Sequence, residues 1–215
     1  MNFVALSAVV ACAGVASADV LADWQASPNG ASLPANNVFA GLTGNDLVRG
    51  AGIVLSTGST FNSSGWNTTL PDLASAIAQD EYLSFGVNVD PGMSLNLSDL
   101  TLRYDRSSTG PNQLVILASY NGFTAASTPI WTDMSVSDAG ENNSIPLADS
   151  GLTGTVEFRI YAWGATSSAG TFDIESLDFA GGDTRGIVLS GSVVPAPGVL
   201  ALAGIGGLLA IRRRR

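Results

Sequence analysis

Apolar and polar residues alternate in short runs along most of the chain, and turn-forming residues separate the runs. Leu83, Phe85, Val87 and Val89 share one phase, and Ser84, Gly86 and Asn88 the other. That two-residue period predicts a half-buried β-strand, and Asp90-Pro91-Gly92 predicts the turn after it. Leu100, Leu102 and Tyr104 alternate with Thr101, Arg103 and Asp105. Leu114 to Ala118 is continuously apolar, which suits a strand covered on both faces. Val156, Phe158, Ile160 and Ala162 alternate with Glu157, Arg159, Tyr161 and Trp163. Phe172 and Ile174 are in phase, but Leu177 and Phe179 fall one residue out, so a bulge is expected near Glu175-Ser176. Ile187, Leu189 and Val193 predict a closing strand. Leu73 to Ala78 is the one helix-compatible piece, and Asn143 to Val156, rich in Gly, Ser and Asp, predicts a loop. Six to nine strands without alternating helices predict an all-β fold, an antiparallel β-sandwich with Greek-key or jelly-roll connections.

Both ends depart from this pattern. Phe3 to Val15 is an apolar run of small residues, and Ala16-Ser17-Ala18 is an A-x-A box, so a signal peptide cut between Ala18 and Asp19 is expected. No Lys or Arg precedes the run, which leaves the positive end to the α-amino group or to an earlier start. At the other end stand Val194, Pro195, Ala196, Pro197 and Gly198. The prolines favour extended or turned backbone. An apolar run from Val199 to Ile211 follows, carrying Leu200, Leu202, Ile205, Leu208 and Leu209, and then Arg212, Arg213, Arg214 and Arg215. Thirteen helical residues reach roughly 20 Å against a hydrocarbon core of about 30 Å, a marginal transmembrane span. The arginines favour a cytoplasmic C-terminus and act as a stop-transfer signal. A core helix with a basic tail is the alternative, but no residue of the run supplies a polar face, and Gly204, Gly206 and Gly207 would each weaken a soluble helix by about 1 kcal/mol. The organisation expected is a signal peptide (1–18), a sandwich domain (19–193) and a C-terminal sorting segment (194–215).

The V-P-A-P-G motif, the short apolar run and the Arg cluster resemble the PEP-CTERM sorting signal of bacterial exported proteins, with Ala196 where the name-giving Glu would stand. Further stretches resemble a domain common in such proteins: Leu47 to Gly52 with Thr60 to Trp66, Arg106 to Pro111, Gly154 to Tyr161, and Gly170 to Ile174. The resemblance implies a secreted, surface-associated β-sandwich from exopolysaccharide-producing bacteria. Its implied partner is an exosortase-type membrane enzyme that processes the tail, with transient membrane anchoring before the cut. It implies no enzymatic activity and carries no catalytic residues.

Charge and composition narrow the chemistry. All 18 acidic residues lie between the two ends, against Arg49, Arg103, Arg106, Arg159 and Arg185 and no lysine, a net charge of about −13. Such a surface repels nucleic acid and anionic lipid. The only cysteine, Cys12, lies in the signal peptide, and the chain has no histidine. Ser-His-Asp and Cys-His nucleophilic sites and His- or Cys-based zinc sites are thereby excluded. Carboxylate pairs survive as the minimum for glycoside hydrolysis, with Glu157, Asp173 and Glu175 as candidates. Asp133, Asp138, Glu141, Asn142 and Asn143 form a run of oxygen donors for a Ca²⁺ ion, although their spacing is not that of an EF-hand. No other cofactor or metal is indicated. Tyr161 and Trp163, beside Glu157 and Arg159, form a candidate glycan face if exposed, or packing if a loop or the 73–78 helix covers them. Trp24, Trp66 and Trp131 carry no pattern and read as core or rim. Two functions follow: a non-catalytic exported surface or matrix protein, or a secreted carbohydrate-binding module of extracellular polysaccharide, with glycosidase activity a lesser variant.

Overall fold

A computed structural model describes residues 18–178 and 182–196. Fourteen strands form two antiparallel sheets packed face to face. The larger sheet has the order β3 (Ala35–Asn36), β1 (Asp19–Gln25), β14 (Arg185–Pro195), β8 (Met93–Arg106), β13 (Phe172–Ile174), β6 (Phe61–Ser64) and β5 (Val54–Leu55), with β11 (Glu141–Pro146) also paired to β8. The smaller has the order β10 (Trp131–Asp133), β9 (Gln113–Ala118), β12 (Gly154–Trp163), β7 (Tyr82–Val89), β4 (Leu42–Arg49) and β2 (Ser32–Leu33). The chain passes repeatedly from sheet to sheet, as from β7 to β8, β8 to β9, β11 to β12 and β12 to β13. The sandwich expected from alternation is the observed fold.

The alternating runs explain its interior. Leu83, Phe85, Val87, Phe158 and Ile160 of the smaller sheet meet Leu100, Leu102, Tyr104, Phe172, Ile187 and Leu189 of the larger in one buried core. Trp24 packs edge-on against Phe85 with ring centroids 5.0 Å apart, and its indole N–H donates to the Asn45 carbonyl at 2.9 Å. Trp66 is buried too, and its N–H donates to the Ser63 carbonyl at 3.1 Å. Asp90-Pro91-Gly92 makes the expected turn: Met93 N–H donates to the Asp90 carbonyl, and Gly92 has φ 85°, open to glycine without strain.

Three sequence expectations need correction. The described residues form fourteen strands rather than six to nine, because β2, β3 and β5 are two-residue strands too short to show a period and β1, β4, β6 and β10 show no clear alternation. The stretch from Asn143 is not all loop: its first residues belong to β11, which pairs with β8 and buries Ile145. No bulge interrupts a strand near Glu175. Instead β13 ends at Ile174, opposite Tyr104, and β14 resumes with Ile187 opposite Leu102. Between two nearly adjacent positions of β8, the chain leaves the sheet and returns.

Candidate functional site

The predicted glycan face is present as a face but closed. Glu157, Arg159, Tyr161 and Trp163 lie on the side of β12 away from the main core, together with Val115 and Leu117 of β9. Over them sits α1 (Leu73–Ala78), capped by the Asp72 carboxylate, which accepts the Ser75 N–H. Leu70, Leu73, Ala76 and Ile77 pack onto the aromatic pair. Tyr161 is 1 % exposed and Trp163 4 %, so neither ring is available for stacking on a sugar. The covering alternative holds, and a second small core replaces the open platform. Behind the helix the buried Glu81 accepts the Asn67 N–H at 2.8 Å, and burial pushes its carboxyl up. The Trp163 indole N–H has no acceptor. Glu157 and Arg159 stay part-exposed, but they bond each other at 2.7 Å, and the Arg159 guanidinium lies between the rings of Tyr82 and Phe123.

The carboxylates group differently from the sequence expectation. Glu157 stands on the smaller sheet with Arg159, whereas Asp173 and Glu175 stand on the larger. There Asp173 pairs directly with Asp105 of β8 on one side and with Asn62 of β6 on the other. Glu175 bonds Arg103 at 3.0 Å, and Gly140, with φ 70°, lies so close over that pair that a Cβ would stand 2.6 Å from both side chains. Burial first, then Glu175 and Asp173, pushes the Asp105 carboxyl up to about 7. Burial also raises Asp173, partly opposed by the hydrogen bond from Thr60 Oγ1 to its Oδ2 at 2.7 Å. Asp105, Asn62 and Thr60 were not candidates from sequence. For Asp105 and Asn62 the sole signal was the polar phase of a strand, Thr60 stands just before one, and strands so far apart in sequence give no hint that they adjoin.

Thr60 also borders an open depression of about 260 Å³, lined with Ser27, Ser59, Ser176, Asp183 and Thr184. It forms where the chain leaves the sheet between β13 and β14. Hydroxyl-bearing side chains line much of it beside the carboxylates of Asp178 and Asp183, the latter held by Arg185 at 2.6 Å.

The proposed calcium donors do not share one loop. Asp133 in β10 accepts the Tyr104 hydroxyl at 3.0 Å, and Asn142 in β11 donates to the Leu177 carbonyl at 2.9 Å. Among the described residues, no group of three acidic side chains is placed to hold a metal ion. At the ends, Ala18 is exposed just before β1, Asp19 opens that strand, and Val194 and Pro195 close β14. Pro197, Gly198, the apolar run and Arg212 to Arg215 lie outside the described residues. Among those described, no helix is long and apolar enough to cross a membrane.

Four of the stretches named from sequence touch in pairs. Arg49 bonds Asn62 and Ser63, joining the first two. Ser107 and Thr171 exchange hydrogen bonds, joining the Arg106 to Pro111 stretch to Gly170 to Ile174.

No protein-family model matches the chain, and no curated relative does. Among solved structures it is similar to a family two carbohydrate esterase from Cellvibrio japonicus, with TM-score 0.35 and 9 % identity over 84 % of this chain. This chain spans 36 % of the length of that esterase. It is also similar to a CBM35 from Paenibacillus barcinonensis, with TM-score 0.27 and 18 % identity over 72 % of this chain and 93 % of the other.

Proposed function

We propose that this chain is an exported cell-surface or extracellular-matrix protein whose sandwich performs no catalysis. In this reading an exosortase-type enzyme sorts and processes its tail. The supporting observation is where the described strands begin and end. Strand β1 begins at Asp19, next to the A-x-A box, and pairs with β14, which runs out through Val194 and Pro195 into the V-P-A-P-G motif. Cuts after Ala18 and beyond Ala196 would leave every described strand intact. Mass spectrometry of the terminal peptides of the natural protein tests this: the expected species starts at Asp19 and lacks Arg212 to Arg215. Recovery of the intact chain from the cytosol would overturn the reading.

A second reading, binding of extracellular polysaccharide, draws on the depression rather than on Tyr161 and Trp163. Its hydroxyl lining suits exchange of hydrogen bonds with sugar hydroxyls. Ser59 is exposed at its rim, so Ser59→Trp fills the depression without touching the core. Loss of glycan-array binding in that variant supports the site, and unchanged binding removes it.

A further inference from the structure

On the outward face of the larger sheet, Asp105, Asp173 and Asn62 stand directly opposite one another on three neighbouring strands. Opposed residues in antiparallel strands hold their Cβ atoms about 5 Å apart, and like charges in that position repel. The row is rich in acceptors and poor in donors. Arg103 is committed to Glu175, to Asn142 and to the Ala139 carbonyl. Arg49 is committed to Ser63 and to the Asn62, Gly30 and Ala31 carbonyls. Thr60 supplies one donor, to Asp173. Asn62 is 8 % exposed; its Nδ2 donates to the Thr57 carbonyl, but its Oδ1 has no donor at all. A buried acceptor left unmatched is unfavourable, and two facing carboxylates add to the imbalance. What the row lacks is donors, and among the described residues no group of three acids is placed to hold a metal ion.

We infer that the row is a proton-operated clasp: protons taken up by Asp105 and Asp173 make donors of them, linking β8, β13 and β6 and closing the imbalance at Asn62. When the protons leave, the link is lost and the Thr60 side of the adjacent depression loosens. The surroundings support proton uptake. Asp105 faces Asp173 from β13, Glu175 beyond it and Asp138 from the segment before β11, with Arg103 of its own strand as the opposing charge. Asp173 faces Glu175, Thr60 and the half-buried Arg49. Asp105 is pushed from 3.8 to about 7. A carboxyl raised on folding leaves stability intact below its unfolded value. It costs stability progressively as pH rises toward the folded value, here between about 4 and 7. The clasp is therefore closed in mild acid and open in alkali.

The test is thermal unfolding of the full chain in neutral detergent, unaltered and as Asp105→Asn, at about pH 5 and about pH 8.5, with and without CaCl₂. Asp105→Asn is expected to melt several degrees above the unaltered chain at the higher pH and only about a third as far above it at the lower, where roughly a third of the loss between about 4 and 7 has already occurred. An equal offset at both values, or a lower melting point for the variant in alkali, overturns the clasp. So does a calcium-induced rise that Asp105→Asn abolishes, since the row would then be a metal site. If the variant fails to fold, a ¹³C-carboxyl titration of the unaltered protein decides. An aspartate titrating near neutrality supports the clasp, and ordinary titration of every aspartate overturns it.

Discussion

Replacing Arg49 should destabilise this protein more than replacing any other of its surface-reaching side chains, because it spans both sheets. It ends β4 in the smaller sheet, yet its guanidinium reaches β6 in the larger. There Nε donates to Ser63 Oγ at 2.9 Å, one terminal nitrogen to the Gly30 carbonyl at 2.8 Å, and the other to the Asn62 carbonyl at 2.8 Å. Its flat face lies 3.7 Å from the centre of the Phe61 ring. Burial lowers its pKa to about 10, so it carries full charge at neutral pH, and its bonds must offset the desolvation. Hydrogen bonds from a charged donor contribute about 1.5–3 kcal/mol each, but losses at one group do not add fully. Taking two of the three as the net effect, Arg49→Ala should cost about 3–6 kcal/mol. For a chain of this size that is a fall in Tm of roughly 6–24 °C. Arg49→Lys keeps the charge but cannot serve three acceptors in a plane, and should lose about half as much. Circular dichroism melts of the three proteins at pH 7 measure this. A fall of under about 3 °C for Arg49→Ala, or Arg49→Lys indistinguishable from the unaltered chain, would refute a clamp across the sheets.

Two smaller predictions follow from the same geometry. Trp163→Phe should change stability by less than about 1 kcal/mol, since the indole N–H it removes has no partner, whereas Trp163→Ala should cost about 3–5 kcal/mol by emptying the space under α1; urea unfolding separates the two, and equal losses would show that the N–H is bonded after all. Gly110→Ala should cost more than about 2 kcal/mol, because its Cβ would stand 2.0 Å from the Thr171 carbonyl oxygen and push β13 from β8. A Gly110→Ala protein as stable as the unaltered chain would mean that the contact relaxes freely.

How much of this was legible beforehand divides along physical lines. Strands β7, β8 and β12 read clearly because each buries one side in the main core, which imposes the two-residue period, and β9 read as a continuous apolar run because both its faces are buried. Leu73 to Ala78 was found as a helix for a local reason, its short run of good helix formers without Gly or Pro. What α1 covers was not decided, since the rings beneath it lie some eighty positions further on. β11 went unread because its one buried apolar residue, Ile145, sits among Asn, Ser and Glu on an edge that needs little burial. The phase shift at Leu177 was a true signal with the wrong cause. It marks a chain leaving the sheet rather than an inserted residue, and a single sequence reads the same either way. The acid row was illegible for a stronger reason. Nothing local to Asp105 or Asp173 differs from an ordinary solvated strand position until register sets them face to face.

The five arginines bear on what the body can bind. Arg49 clamps the sheets, Arg103 holds Glu175, Arg159 holds Glu157, and Arg185 holds Asp183. Arg106 donates to the carbonyls of Val136, Ser107 and Ser108. Each positive charge of the sandwich is thus spent on internal structure, three of them against a neighbouring carboxylate. A polyanion arriving at the surface would meet few guanidinium groups free to turn toward it and many carboxylates. Net charge alone therefore understates how one-sided the surface is, because the compensating charges are positioned by the fold instead of by solvent. A neutral, hydroxyl-bearing partner avoids that repulsion, which is the electrostatic argument for looking to neutral polysaccharide at the depression beside β13 and β14 rather than to nucleic acid or anionic lipid.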